Sequence, residues 1–164
     1  MSDYRRVFVN GGCYFFTVVT ADRRIVFDNE VSIALLRDAI RAEKLRRPFG
    51  IDAMVVLPNH LHCIWRLPDG DADFSQRWRQ IKRRFSMRFG EQIWQRSFWE
   101  HTIRDEYDWQ THMDYIHYNP VRHGYVDKAE DWQWSSYRKW RACGYYSEGW
   151  GKHEPNSLKD MCLE

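Results

Sequence analysis

The sequence predicts an α+β domain: a split β-α-β-β-α-β unit with one antiparallel sheet, helices on one face, and a further helix next to the open face. Three observations predict it. Short runs are rich in aromatic and β-branched residues, longer stretches carry apolar residues at helical spacing, and the two kinds alternate in that order. At 164 residues the chain has the length of one domain, enough to bury a core without disulfides or a structural metal.

The run YFFTVVT, residues 14–20, reads as the first strand. Asp28 and Asn29 are suitable N-caps for a helix reaching about Arg47, with Ile33, Leu36 and Ile40 on its core face and Pro48 ending it. GIDAMVVL is the second strand, Pro58-Asn59 a turn, and HLHCIWRL the third strand, so these two form a hairpin. After the acidic loop PDGDAD, a helix from about Phe74 to Phe89 carries Trp78, Ile81, Phe85 and Phe89 at helical spacing. SFWEHTI, residues 97–103, is the fourth strand. A further helix is expected from about Asp105 to Tyr118, stopped by Asn119-Pro120 because proline disfavours the α region in the residue before it. AEDWQWSSYRKWRA is a last helical or irregular segment, and residues 144–164 lack periodicity and read as a mobile or draped tail on a domain of residues 1–143.

Composition removes several classes. Net charge is +2, from 25 Lys plus Arg against 23 Asp plus Glu, so any nucleic-acid interaction must come from local clusters. Cys13, Cys63, Cys143 and Cys162 are widely spaced and read as reduced packing thiols. No signal-peptide pattern or membrane-length apolar run is present, so a cytoplasmic location without membrane attachment is expected. Nine Trp, nine Tyr and nine Phe supply core, with a few available for stacking on flat ligands.

The segment VVLPNHLHCIW holds the first chemical signal. On a strand, side chains alternate, so Leu61, Cys63, Trp65 and Leu67 face the helices while His60, His62, Ile64 and Arg66 face the other way. Two imidazoles at i and i+2 stand about 6–7 Å apart on a stiff support. A shared metal ion is the simplest reason for such a pair, and a third ligand must come from elsewhere: His101, His112, His117, Asn119 or a nearby acid. The segment DYIHYNPVRHG supplies the second signal. With Trp109, Met113 and Ile116 as the core stripe, Tyr115 and Asn119 lie four residues apart on the neighbouring stripe, a phenol beside a carboxamide.

LPNHLHCIW followed by DYIHYNPVRHG, with WRQIKRRF and FWEHTIR between, closely resembles the REP-associated tyrosine transposases. These are relatives of the IS200-like enzymes in the His-hydrophobic-His, single-tyrosine superfamily of DNA-nicking proteins. The resemblance spans the chain from about residue 4 to 137. It implies that His60 and His62 bind Mg²⁺ or Mn²⁺, that Tyr115 is the nucleophile, and that Asn119 is the third ligand, where many mobile-element relatives carry glutamine. It further implies a single-strand endonuclease and strand transferase that acts on REP-type hairpin DNA through a 5'-phosphotyrosine intermediate, with a monomer favoured and the dimer of mobile-element relatives as the alternative.

The chemistry sets demands of its own. A phenol with pKa near 10 is only about 0.1% ionised at neutral pH, a cost of roughly 4 kcal/mol that metal and surroundings must offset. Two imidazoles and an amide oxygen suit Mn²⁺, Ni²⁺ or Zn²⁺ better than Mg²⁺ by ligand softness, and Mn²⁺ is expected to support activity at least as well as Mg²⁺. RWRQIKRRFSMR has six basic residues and no acidic one: with Trp78, Ile81 and Phe85 facing inward, Arg77, Arg79, Lys82, Arg83, Arg84 and Arg88 are expected to face DNA phosphates. Arg5 and Arg6 are candidates for reading a single-stranded guide beside the hairpin. Glu100 and His101 fall on opposite strand faces, and alternation alone does not say which one faces the site. Two other readings compete: a hairpin DNA- or RNA-binding protein without catalysis, and a zinc hydrolase using a third histidine.

Overall fold

The structure, a computed structural model, describes residues 9–161. Arg5, Arg6 and Cys162 lie outside the described residues. Among the described residues four strands, β1 (Cys13–Val19), β2 (Gly50–Leu57), β3 (His60–Arg66) and β4 (Trp99–Thr102), form one antiparallel sheet in the order β2-β3-β1-β4. Helices α1 (Glu30–Arg46) and α2 (Phe74–Phe89) cover one face; α3 (Glu106–Arg122) packs on the other, and α4 (Tyr137–Ala142) follows. This is the predicted α+β arrangement. Among the described residues, no helix is long and apolar enough to cross a membrane.

The helix ends obey local chemistry. Asn29 Oδ1 accepts from the Ser32 amide at 2.9 Å and opens α1, while Asp73 Oδ1 accepts from Gln76 at 3.0 Å and opens α2. Gly90 closes α2 in the left-handed region at φ 98°, which a side chain would strain. Under these helices Leu61, Cys63, Trp65 and Leu67 meet Tyr14, Phe16 and Val18 in one buried cluster, and Trp65 stacks on Trp78 with ring centres 4.3 Å apart. Full burial of each large apolar side chain contributes about 1.5–3 kcal/mol. Glu43, itself buried, joins Arg47 of the α1 C-cap to Arg84 of α2 at 2.9 and 2.8 Å, linking the two helices.

The second face departs from expectation in two ways. Helix α3 does not stop at Asn119-Pro120 but runs through the proline to Arg122. Proline removes one backbone donor, yet Asn119 and Pro120 are buried, and the next turn is closed by the His123 amide donating to Asn119 O and Gly124 to Val121 O. Packing therefore overrides the local preference. The face opposite α1 and α2 is also occupied, since Met113, Tyr115 and Ile116 of α3 pack on Phe15, Val55, Leu57 and Ile64.

The segment after α3 closes the sheet's β2 edge. Trp134 O accepts from Val56 N, Ser136 N donates to Met54 O, and the Trp132 and Trp140 indoles donate to Val56 O and Asp52 O at 3.0 and 2.8 Å. An edge with its carbonyls and amides taken does not recruit another strand. Beyond Gly144 the chain packs on α3: Tyr146 and Leu158 are buried, and Ser157 Oγ donates to Asp114 Oδ2 at 2.8 Å.

Candidate active site

Alternation on β3 sends His60 and His62 toward α3, with ring centres 4.9 Å apart and planes nearly perpendicular. Both rings are oriented through Nδ1. For His60 the partner is Asn59 Oδ1 at 2.7 Å; a carbonyl oxygen only accepts, so Nδ1 donates, and in the neutral ring the lone pair falls on Nε2. For His62 the partner is Thr17 Oγ1 at 2.8 Å, which stands directly opposite on β1. An imidazole held at one nitrogen by an oxygen presents the other as a ligand, the usual support of a metal-binding histidine. The donor set at this place thus fits a divalent ion.

Helix α3 lies across the pair. The Tyr115 ring is 5.2 Å from that of His62, and the His123 ring, two turns later, is 5.3 Å from that of His60. Asn119 sits one turn from each of them and on the same helix face. Tyr115, Asn119 and His62 are fully buried and His60 nearly so. Phe15 supports the group from the sheet, stacked on His62 at 5.6 Å and edge-on to Tyr115 at 5.8 Å. Arg122 lies over the Tyr115 ring at 5.6 Å from its centre. The four residues expected in the site are therefore drawn together from a strand and a helix that are far apart in sequence.

The other candidate ligands are engaged elsewhere. His117 bonds Tyr146 OH at 2.6 Å and Ser136 Oγ at 2.8 Å, and burial pushes its imidazole down to about 3, so it stays neutral. His101 and His112 flank Asp108: His101 Nε2 is 2.9 Å from Oδ2, and His112 Nδ1 is 3.2 Å from Oδ1 and 2.8 Å from the Asp108 carbonyl. Ligand atoms of these three residues lie within 4.8 Å of one another, but the imidazoles are stacked, 17° from parallel and 4.6 Å apart. Parallel rings do not aim their nitrogens at one point, and the hydrogen-bonded carboxylate accounts for the cluster as found. Register answers the question of strand β4. His101 pairs with Phe15 and faces α3, whereas Glu100 pairs with Phe16 and is buried toward the other face.

The basic helix α2 divides. Arg77, expected on the outside, is 1% exposed and bonds the Arg47 and Pro48 carbonyls and both oxygens of Asp71. It is a structural residue, a correction to the helical-wheel reading, because a long side chain on the wheel's border can fold back onto loop carbonyls. Arg84 holds Glu43, Arg88 holds Asp38 at 3.1 Å, and Lys82 donates to Gln95 O at 3.0 Å. Arg79 and Arg83 are exposed.

Four contributors were not singled out from sequence. Asn59 precedes the first histidine and carries only a turn signal in sequence; Thr17 becomes visible only through the β1–β3 register; Arg122 and His123 follow from the extra turn of α3.

No family model matches the chain. A REP-associated tyrosine transposase of Escherichia coli (strain K12) is 48% identical over 151 residues, covering 92% of this chain and 91% of its own. A Haemophilus influenzae (strain ATCC 51907 / DSM 11121 / KW20 / Rd) protein carrying the same family name is 37% identical over 97% of this chain and 98% of its own. The solved structure of a REP-associated tyrosine transposase bound to a REP hairpin has a TM-score of 0.88 at 46% identity, covering 95% of this chain and 94% of that one. With nearly half of all positions identical along almost the whole length and the same fold, this chain belongs to the REP-associated tyrosine transposases.

Proposed function

We propose that the chain nicks and rejoins single-stranded DNA beside REP-type hairpins through a 5'-phosphotyrosine link to Tyr115, with His60, His62 and Asn119 holding Mn²⁺ or Mg²⁺. The observation that carries the reading is the contact of Tyr115 with His62 at 5.2 Å, with Asn119 on the same helix face. The hairpin as substrate follows from the solved relative, which is bound to one. In the forward step Tyr115 Oη forms a bond to phosphorus as the bond to the 3'-oxygen breaks; the phenol loses its proton and the 3'-oxygen gains one. One ester replaces another, so no nucleotide cofactor is consumed and the step reverses to join strands.

The residues divide the work. Thr17 and Asn59 hold the imidazoles by Nδ1 and so set the direction in which each Nε2 points. Phe15 fixes the Tyr115 and His62 rings against each other. An ion bound there would polarise the scissile phosphate and neutralise developing charge. Because Tyr115 is buried, the substrate strand enters where Arg122 and His123, both exposed, form the rim. Arg79 and Arg83 add phosphate contacts, and a monomer in the cytoplasm is the working state.

A labelled hairpin with a flanking single strand, incubated with Mn²⁺ and run on a denaturing gel, tests the reading. A protein–DNA adduct in the wild type and none in Tyr115→Phe is expected. Hairpin binding with no adduct from the wild type would leave a binding protein without catalysis. Adduct in the variant would remove the assigned nucleophile.

A further inference from the structure

The extra turn of α3 beyond Pro120 does more than lengthen the helix. It places Arg122 seven residues from Tyr115, two turns along the same face, with its guanidinium carbon 5.6 Å from the centre of the Tyr115 ring. Several arginines elsewhere in the fold are paired with carboxylates: Arg66 with Asp52, Arg104 with Asp108, Arg84 with Glu43. Arg122 has no carboxylate partner among the described residues, and it is exposed while the tyrosine beneath it is buried. An uncompensated planar cation thus stands on the open side of the buried nucleophile.

A phosphodiester reaching Tyr115 from solvent meets that cation. Guanidinium is permanently charged and presents paired N–H donors whose spacing matches two phosphate oxygens, and these bonds strengthen as negative charge grows on them. Resting on the aromatic face costs the guanidinium little of its donor capacity, because the N–H bonds lie in its plane and the contact uses its flat side.

We propose that Arg122 is a phosphate clamp for the cleavage step: it binds the non-bridging oxygens of the scissile phosphate and neutralises the charge that builds there as Tyr115 Oη attacks. The proposal rests on the assignment of Tyr115 as nucleophile. Arg122 takes no proton and forms no covalent bond in the step.

The test measures single-turnover adduct formation at saturating protein with Mn²⁺. The oligonucleotide is a REP-type hairpin whose cleavage position has been mapped with the wild-type chain. Wild type, Arg122→Gln, Arg122→Lys and Tyr115→Phe are each given two substrates, one with an ordinary phosphodiester and one with an uncharged methylphosphonate at the scissile position. Arg122→Gln should slow adduct formation on the phosphodiester about 100-fold, the scale of losing one transition-state charge donor, with hairpin affinity changed about threefold or less. Arg122→Lys, which keeps the charge and loses the fork, should recover part of the rate. On the methylphosphonate the gap between wild type and Arg122→Gln should shrink to about threefold, since there is no charge left to neutralise.

A rate for Arg122→Gln within about threefold of wild type on the phosphodiester, or an undiminished gap on the methylphosphonate, overturns the clamp. Adduct formed by Tyr115→Phe retires the nucleophile instead, and a charge-dependent Arg122 defect in the same experiment would survive it. No adduct from the wild type on either substrate retires both. Because the side chain is exposed, thermal midpoints of the Arg122 variants should match the wild type; should Arg122→Gln unfold, the two-substrate comparison is made with Arg122→Lys.

Discussion

The two faces of one strand, β3, are put to opposite uses. Toward α1 and α2 it sends Leu61, Cys63 and Trp65 into a cluster made almost wholly of carbon; toward α3 it sends His60 and His62 into a buried place shared with a phenol and a carboxamide. The first face supplies stability through area and close packing. The second requires a hydrogen bond for each polar atom it hides, and leaving one unmade costs about 1–3 kcal/mol. Thr17 and Asn59 supply two such bonds, and both fix the direction of a ring. A face built this way is tolerable only because the other holds the domain together.

The sharpest test of that division is a pair of substitutions. Tyr115→Phe should lower adduct formation by on the order of 10⁴-fold or more, as loss of a nucleophile does, while the urea midpoint barely moves. Trp65→Ala, three residues from His62, should do the reverse. It should cost about 3–5 kcal/mol in urea unfolding, because it leaves a cavity beneath Trp78. Equal stability losses in the two variants would break the comparison.

The next effect belongs to the helix face and depends on pH. The Arg77 guanidinium bonded to Asp71 holds that carboxyl below its ordinary range. A carboxylate whose folded pKa is depressed contributes stability above its unfolded value of about 4, and the contribution is lost as pH falls through the folded one. Asp71→Asn should therefore destabilise by about 1–2 kcal/mol at neutral pH: it leaves buried Arg77 without its counter-charge, but Asp71 is itself 31% exposed and partly screened by water. The difference from wild type should narrow in acid. Urea midpoints from neutral pH down into the acid range read this directly, and a constant gap would show that the charge pair is not the cause.

Legibility in the sequence follows the same division. The apolar face was readable because packing obeys periodicity: α2 spans Phe74–Phe89 as its apolar spacing indicates, and the alternation of β3 assigns every residue to its side. The polar face was readable only in part. His60, His62, Tyr115 and Asn119 lie in two recognisable segments, but Thr17 is 45 residues from His62 and meets it only through strand register. Arg77 carried the same pattern as its exposed neighbours, and what buries it is the shape of two loops. Arg122 and His123 are hidden by Pro120, whose local preference ends a helix while burial carries this one through.

A smaller effect measures how far orientation matters on the polar face. Thr17→Val keeps the shape of the side chain and removes the bond to His62 Nδ1. Losing a partner that orients a ligand weakens metal binding by about 10- to 100-fold. Mn²⁺ titration by calorimetry should show that loss, with adduct formation recovered at high Mn²⁺. Unchanged Mn²⁺ affinity would mean that His62 needs no outside support.

The smallest effects separate cations that bind DNA from cations that bind the fold, and α2 holds both kinds within a few residues. Arg79 and Arg83 are exposed, whereas Arg84 reaches the buried Glu43. Each phosphate contact releases counterions, so Arg79→Ala and Arg83→Ala should each flatten the slope of log affinity against log salt by about 0.9 for a duplex stem or 0.7 for a single strand, with stability unchanged. Arg84→Ala should leave that slope alone and lower the urea midpoint instead, since it strips one counter-charge from a carboxylate with no exposure to water. If Arg84→Ala flattened the salt slope as Arg83→Ala does, the ion pair with Glu43 would have to open when DNA binds, and Arg84 would join Arg79 and Arg83 among the cations that meet phosphate.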